Sequence, residues 1–310
     1  MHILKQSKFP YYVRGYYRAL LSTRPRLRER ILRLQSRLSQ KELQEAEVRV
    51  NYYCSSQIGK PFSGKTTVND LKKISSPKSY FFDTYEHARF LPPNTPLDFV
   101  FGDVTHVPDY PSLVKSRPIV VGNDNSVLLN MDKARHFVWI NNDKPFVSKK
   151  DRLIGMSAVY QHNRYDFFEK YFGHPLCDLG DVGINGIGKP EWVKPKISLL
   201  EHLNYKFILS LQGNDVATNL KWIMSSNSIA VMPKPTMETW FMEGSLIGDR
   251  HYIELRPDYS DLEEKLQYYI ARPKECLQII ENAHAHCRRF FKKEVEDLCS
   301  FRVLERYLQR

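Results

Sequence analysis

The chain has 310 residues, of which 42% are hydrophobic and 26% charged, and its net charge is +11. These proportions argue against a disordered chain or a membrane bundle. No run approaches the ~20 apolar residues of a spanning helix, and the length predicts two domains rather than one core. The first residues, MHILKQSKFPYYVRGYYRALL, break their apolar stretches with Lys, Arg and Gly before a signal-peptide core can form, so a secreted precursor is not expected. Five widely spaced cysteines, Cys54, Cys177, Cys276, Cys287 and Cys299, form no CxxC or Cys/His cluster. That pattern fits a reducing cytoplasm better than a disulfide framework or a zinc site.

Residues 1–40 hold ten Lys or Arg against the single acid Glu29, so +9 of the +11 lies there. Within them Leu27, Ile31, Leu34 and Leu38 recur at helical spacing, one apolar stripe on an otherwise basic helix. Such a segment (1–44) is expected either to lie on an anionic membrane or to pack on the body with a solvated basic face. No nucleic-acid-binding signature accompanies the charge. From about Asn51 to Ser79 the sequence is polar and irregular, and Asp98–Phe101, Pro118–Val121 and His136–Ile140 read as short buried strands. Gly180–Pro195, rich in Gly and Pro, reads as a linker between two halves.

Beyond it the pattern alternates. Helix Ile197–Leu203, strand Lys206–Leu211, helix Val216–Ser225, strand Ile229–Met232, a short helix at Glu238–Met242 and strand His251–Leu255 predict a parallel sheet covered on both faces. Ser260 to Glu263 reads as a capping box opening a helix to Ala271, and helices at Lys274–Phe291 and Val295–Leu308 follow.

Gly59–Thr66, GKPFSGKT, matches the P-loop pattern, and Asp98–Asp103 could pass for its partner strand. A P-loop requires a buried strand running into the first glycine and a sizeable helix after the Lys-Thr pair, and neither flank complies. The match reads as a surface turn, with nucleotide hydrolysis around Lys65 kept as an alternative.

Leu209 to Ser228, LSLQGNDVATNLKWIMSSNS, is a strand, a Gly turn and a helix followed by a second turn. The backbone at Gly213 and the amides of a following helix would suit an anion. Together with Glu238-Thr-Trp-Phe, the His251-Tyr-Ile-Glu strand and Tyr259-Ser-Asp-Leu-Glu-Glu-Lys, this segment resembles glycosyltransferase family 90, and looks closest to its bacterial lipopolysaccharide branch. The resemblance covers roughly 95–290 and is strongest over 200–270. It implies a GT-B α/β fold of two Rossmann-like domains, here about 45–180 on the acceptor side and 190–275 for the nucleotide sugar, with helices 276–310 bracing them. It also implies a nucleotide-sugar co-substrate, UDP-linked by expectation, no obligatory metal, and a glycan or lipid-linked acceptor at the cytoplasmic face of a membrane. The chain contains no Asp-x-Asp pair, in keeping with donor charge met by amides and basic groups.

The resemblance also implies an Asp base after a strand of the first half. Two positions compete, Asp103, directly after DFVF, and Asp109, within Asp-Tyr-Pro, and Asp103 is favoured. Asn219 stands where many members have Arg, and Ile154-Gly155 or Met156-Ser157 stands where they have Arg-Gly. The diphosphate is therefore expected on Arg164, Lys221 or Arg117, beside Gly213, Asn214, Asp215 and Asn219, with Glu238 either a ribose ligand or a charge at a helix N-terminus. His106, His136 and His251 form no triad. A basic protein that binds without catalysis is the remaining alternative.

Overall fold

The computed structural model describes residues 2–4, 7–21, 26–55, 61–76 and 78–309. They divide into an N-terminal unit (Gln6–His136, Thr236–Gly244, Arg289–Arg310) and a C-terminal unit (Met1–Lys5, Phe137–Pro235, Ser245–Arg288). In chain order, helices α1 (Lys8–Leu20), α2 (Leu27–Gln35), α3 (Gln40–Tyr53) and α4 (Lys78–Ala88) precede strands β1 (Phe99–Val100), β2 (Ser112–Val114), β3 (Ser116–Pro118) and β4 (Ser126–Leu128). The C-terminal unit follows with β5 (Lys150–Ser157), α5 (His162–Tyr171), β6 (Cys177–Asp181), β7 (Tyr205–Leu209), α6 (Leu220–Met224) and β8 (Ile229–Pro233). The strand β9 (Met237–Thr239) belongs to the N-terminal unit again. Strand β10 (Ile253–Leu255), α7 (Leu262–Ile270) and α8 (Pro273–Arg288) complete the C-terminal unit, and α9 (Lys293–Leu308) lies in the N-terminal one.

The C-terminal unit is built on a five-stranded sheet in the order β10-β8-β7-β5-β6, parallel throughout. Its central strands β7 and β8 are largely apolar, as strands covered on both faces are, and all five residues of β7 are buried. In α8, Cys276, Ile279, Ile280, Ala283 and Cys287 recur on one face and are buried. The alternating α/β reading of 197–308 therefore matches most of the observed elements, the helix expected at Glu238–Met242 excepted. Three further details of the expected organisation differ. Residues 213–219 form a turn, which confines the helix expected at Val216–Ser225 to α6. Ser260 binds Asp258 rather than capping α7, whose N-cap Asp261 makes no side-chain cap, so the expected capping box is absent there. The stretch 180–195 lies inside this unit and is bonded back onto the sheet, since Val159 and Gly183 amides donate to Asp181 Oδ1 and the Lys194 amide donates to the Asp181 carbonyl.

In the N-terminal unit β1, β2 and β4 form a parallel sheet, while β3 pairs antiparallel with β9. The segment expected as a helix at Glu238–Met242 is thus the end of a strand and a turn, because its backbone bonds are taken by β3. Helix α9 packs against α2, α3 and α4. Arg49, fully buried, pairs with Glu296 at 2.5 Å and donates to Tyr53 Oη, and Tyr53 stacks on Trp240 with ring centres 3.9 Å apart. Three distant segments of chain meet in that network. The stripe of residues 27–38 faces this packing, with Ile31 and Leu38 buried, so it is a core face and not a membrane face. The P-loop match fares as expected over its described part. Thr66 Oγ1 donates to the Leu97 carbonyl, a 3-10 helix (Val68–Lys72) follows instead of an α-helix, and the start of the match (59–60) lies outside the described residues.

Gly155 in β5 has no room for a side chain. A methyl there would sit 2.8 Å from Cδ2 of both Leu179 and Leu209. Gly155→Ala should lower stability by about 1–3 kcal/mol through overpacking, read as a reduced melting temperature by circular dichroism.

Candidate functional site

In a parallel sheet the loops that carry chemistry leave from the carboxyl ends of the strands. In the C-terminal unit the loops after β5 and β7 meet there. Arg164, in the first turn of α5, donates from Nη1 to the Ala158 carbonyl (2.8 Å) and from Nη2 to the Leu211 carbonyl (3.1 Å). Its Nε is buried without a partner, and no carboxylate among the described residues pairs with it. Burial pushes its pKa below the ordinary arginine value. A buried cation that lacks a counter-charge is costly and favours an incoming anion.

The surrounding groups agree. Gly213 leaves the space next to this guanidinium, because a Cβ at residue 213 would lie 3.4 Å from Nη2. Helix α5 has no side-chain cap at Gln161, whose amide instead donates to Asn214 Oδ1 at 3.0 Å, so its first-turn amides are available to an anion. Asn163 donates to the Gln212 carbonyl and holds the loop against the helix. The helix amides beside Gly213 are therefore those of α5, since α6 begins only at Leu220 and has five residues. Asn219 spends its amide on the strand end, donating to the Leu209 carbonyl and accepting from Ser210 Oγ. Asp215 and Lys221 are buried, and the Lys221 ammonium lies 5.8 Å from the Phe137 ring. Asn219 thereby ties the start of α6 to the end of β7.

The N-terminal unit gathers a second set at the corresponding strand ends. Gly102, at φ +118°, turns the chain sharply after β1 and presents Asp103. Lys115, the first residue after β2, is buried and holds Asp103 Oδ1 at 2.6 Å. Asp132 follows β4 in the left-handed region that Asp tolerates, and pairs with Arg135 at 2.7 Å. Arg135 also reaches Asp103 at 3.8 Å, and His136 lies 3.8 Å from Asp132. Burial pushes the Asp132 carboxyl above its ordinary pKa, whereas Asp103 is the solvent-facing carboxylate, with 31% of its side chain exposed. A positioned and accessible carboxylate is what a general base requires. Asp109 is exposed, and its carbonyl, not its carboxylate, is engaged by Asn125.

Arg117 and Glu238 are cross-strand partners in β3 and β9, and they neutralise each other. Arg117 Nε donates to Glu238 Oε1 at 2.8 Å, its other nitrogens reach the Tyr52 and Ser126 carbonyls, and Tyr52 Oη donates to Glu238 Oε2. A Cβ at Gly244 would lie 2.6 Å from Glu238 Oε2, so the cluster leaves no space there. Both side chains are buried, and each meets the other's charge within this unit. The sequence reading passed over Lys115, Asp132, Arg135 and Gln161. The one available signal was an acid or base directly after each short apolar run.

Two comparisons define the class. A model of glycosyl transferase family 90 matches residues 189–310. The O-glucosyltransferase LpsA of Dichelobacter nodosus is 40% identical over 263 residues, covering 84% of this chain and 82% of the relative. The chain belongs to glycosyltransferase family 90 and is a glycosyltransferase.

Arg164→Ala should weaken binding of a nucleoside diphosphate about tenfold or more with little loss of stability, measured by isothermal titration. Glu238→Ala should instead unfold the protein more easily, by about 3–5 kcal/mol in denaturant titration, because it leaves Arg117 buried and unpaired.

Proposed function

We propose that this enzyme transfers a glucosyl residue from a UDP-sugar to a hydroxyl of a lipopolysaccharide-type glycan. The reading rests on one observation above all, the accessible Asp103 carboxylate held by Lys115 at the carboxyl end of a parallel sheet. The relative's printed activity, O-glucosyl transfer, supplies the sugar. Asp103 takes the proton of the acceptor hydroxyl as its oxygen attacks C1 of the donor sugar. The bond from C1 to the diphosphate oxygen breaks, and UDP leaves with the electron pair. Arg164 and the first-turn amides of α5, beside Gly213 and Asn214, receive the charge that develops on the diphosphate. Helix dipole and guanidinium suffice for that task without a metal, in a GT-B-type enzyme whose C-terminal unit binds the donor and whose N-terminal unit carries the base.

The protein works at the cytoplasmic face of an anionic membrane, held by residues 1–40. The five cysteines are buried and form no disulfide among the described residues. The apolar group that would enter the bilayer surface is on α1, where Phe9, Val13, Tyr17 and Leu20 are exposed among Lys8, Arg14 and Arg18. No helix among the described residues is long and apolar enough to cross a membrane.

Asp103→Asn should cut turnover of UDP-glucose about 10²–10⁴-fold while leaving the melting-temperature rise produced by UDP intact, and EDTA should leave turnover unchanged. Wild-type turnover in the variant would remove Asp103 from the mechanism. Replacing Phe9, Tyr17 and Leu20 by Ser should reduce co-sedimentation with phosphatidylglycerol vesicles. Unchanged partition would place the membrane contact elsewhere.

A further inference from the structure

The N-terminal unit contains a cavity of about 370 Å³ whose lining is strongly cationic. Six basic side chains face three carboxylates around it. Two of those carboxylates are already engaged. Glu86 is held by Lys133 at 2.5 Å and by Arg18 at 2.7 Å, and Asp297 by Lys293 at 2.6 Å and by His87 at 3.1 Å. Among the described residues, Arg30, Arg33, Arg37 and Arg89 have no carboxylate at ion-pair distance. Two of these guanidiniums flank one ring, with Arg30 4.6 Å and Arg89 4.8 Å from the centre of Phe90. Arg89 has a buried Nε without a partner, and its pKa is pushed down first by burial and then by the charge of Arg18. Arg30 and Arg33 lie on α2 and Arg37 in the turn that follows it, and all three line the cavity while Ile31 and Leu38 are buried in the core. Packing has thus brought like charges together at a concavity with too few counter-charges, and several guanidinium forks match the oxygens of a phosphate group better than a single carboxylate.

We propose that this cavity binds a phosphomonoester carried by the acceptor glycan, at a site separate from the Asp103 cluster. The inference rests on the anionic-glycan reading above. The volume suits a phosphorylated monosaccharide and exceeds what a bare ion needs. Bound there, the group would hold a phosphorylated glycan to the N-terminal unit and select it over its unphosphorylated form.

The test is titration calorimetry with glucose 6-phosphate, glucose and inorganic phosphate against the full chain, R33Q/R37Q, and the control R26Q/R28Q. The control removes the same charge from α2 and its preceding residue without touching the cavity. The expected result is saturable binding of glucose 6-phosphate, weakened by raised salt and by about tenfold or more in R33Q/R37Q, with no response to glucose and wild-type affinity in the control. Absence of binding, or equal weakening in both variants, overturns the site. Binding of phosphatidate vesicles through Arg33 and Arg37 without any response to the soluble sugar phosphate overturns the glycan source. UDP-induced stabilisation, measured on the same samples, reports the donor site, so a failure of the transferase reading is seen separately.

Discussion

Parallel strand pairing is the constraint on which the rest of this molecule depends. Parallel neighbours cannot be joined by a tight turn, so every strand must be followed by a loop and a crossover, and all those loops leave from one edge of the sheet. In the C-terminal unit that rule delivers the loops after β5 and β7 to one place, with Arg164, Gly213 and Gln161 among them. In the N-terminal unit it delivers Asp103, Lys115 and Asp132 from three different loops. Each group lies far apart in sequence and close in space for the same geometric reason.

What separates structure from chemistry among the many charges is whether a charge has been neutralised. Arg49 with Glu296 and Arg117 with Glu238 are buried pairs in which each arginine also donates to a neighbouring side chain or carbonyl. Such pairs add little net stability over apolar residues but punish the loss of one partner, so they fix how distant segments meet. Arg164 and the arginines around Phe90 are different. They are positioned by carbonyls, by a ring or by helix packing and have no carboxylate of their own. The same residue type therefore braces the fold in one place and, among the described residues, stands without a carboxylate partner in another.

Much of the C-terminal unit was legible in advance because period and punctuation agree there. Apolar runs such as Phe207–Leu209 and Ile229–Met232, separated by helical spacing and turns, leave few alternatives. The N-terminal unit was less legible, since its strands are two or three residues long and carry almost no periodic signal. The helix expected at Glu238–Met242 failed for a related reason. Local propensity there is overridden by pairing with β3, more than a hundred residues away in sequence.

By itself, the sequence determined the α/β class of fold, the family and most strands and helices of the C-terminal unit, and it singled out candidate groups, Asp103 and Arg164 among them. Composition, spacing and apolar periodicity are local properties, and they survive in one dimension. Only the tertiary structure decided which of those groups are spent. It matched Arg117 to Glu238, turned the stripe of Ile31 and Leu38 inward, replaced the α6 amides with those of α5 beside Gly213, and gathered Arg30, Arg33, Arg37 and Arg89 around one cavity. Whether a charge is buried, paired or left facing a void depends on neighbours that the chain supplies from elsewhere, and that information exists only once the chain has packed.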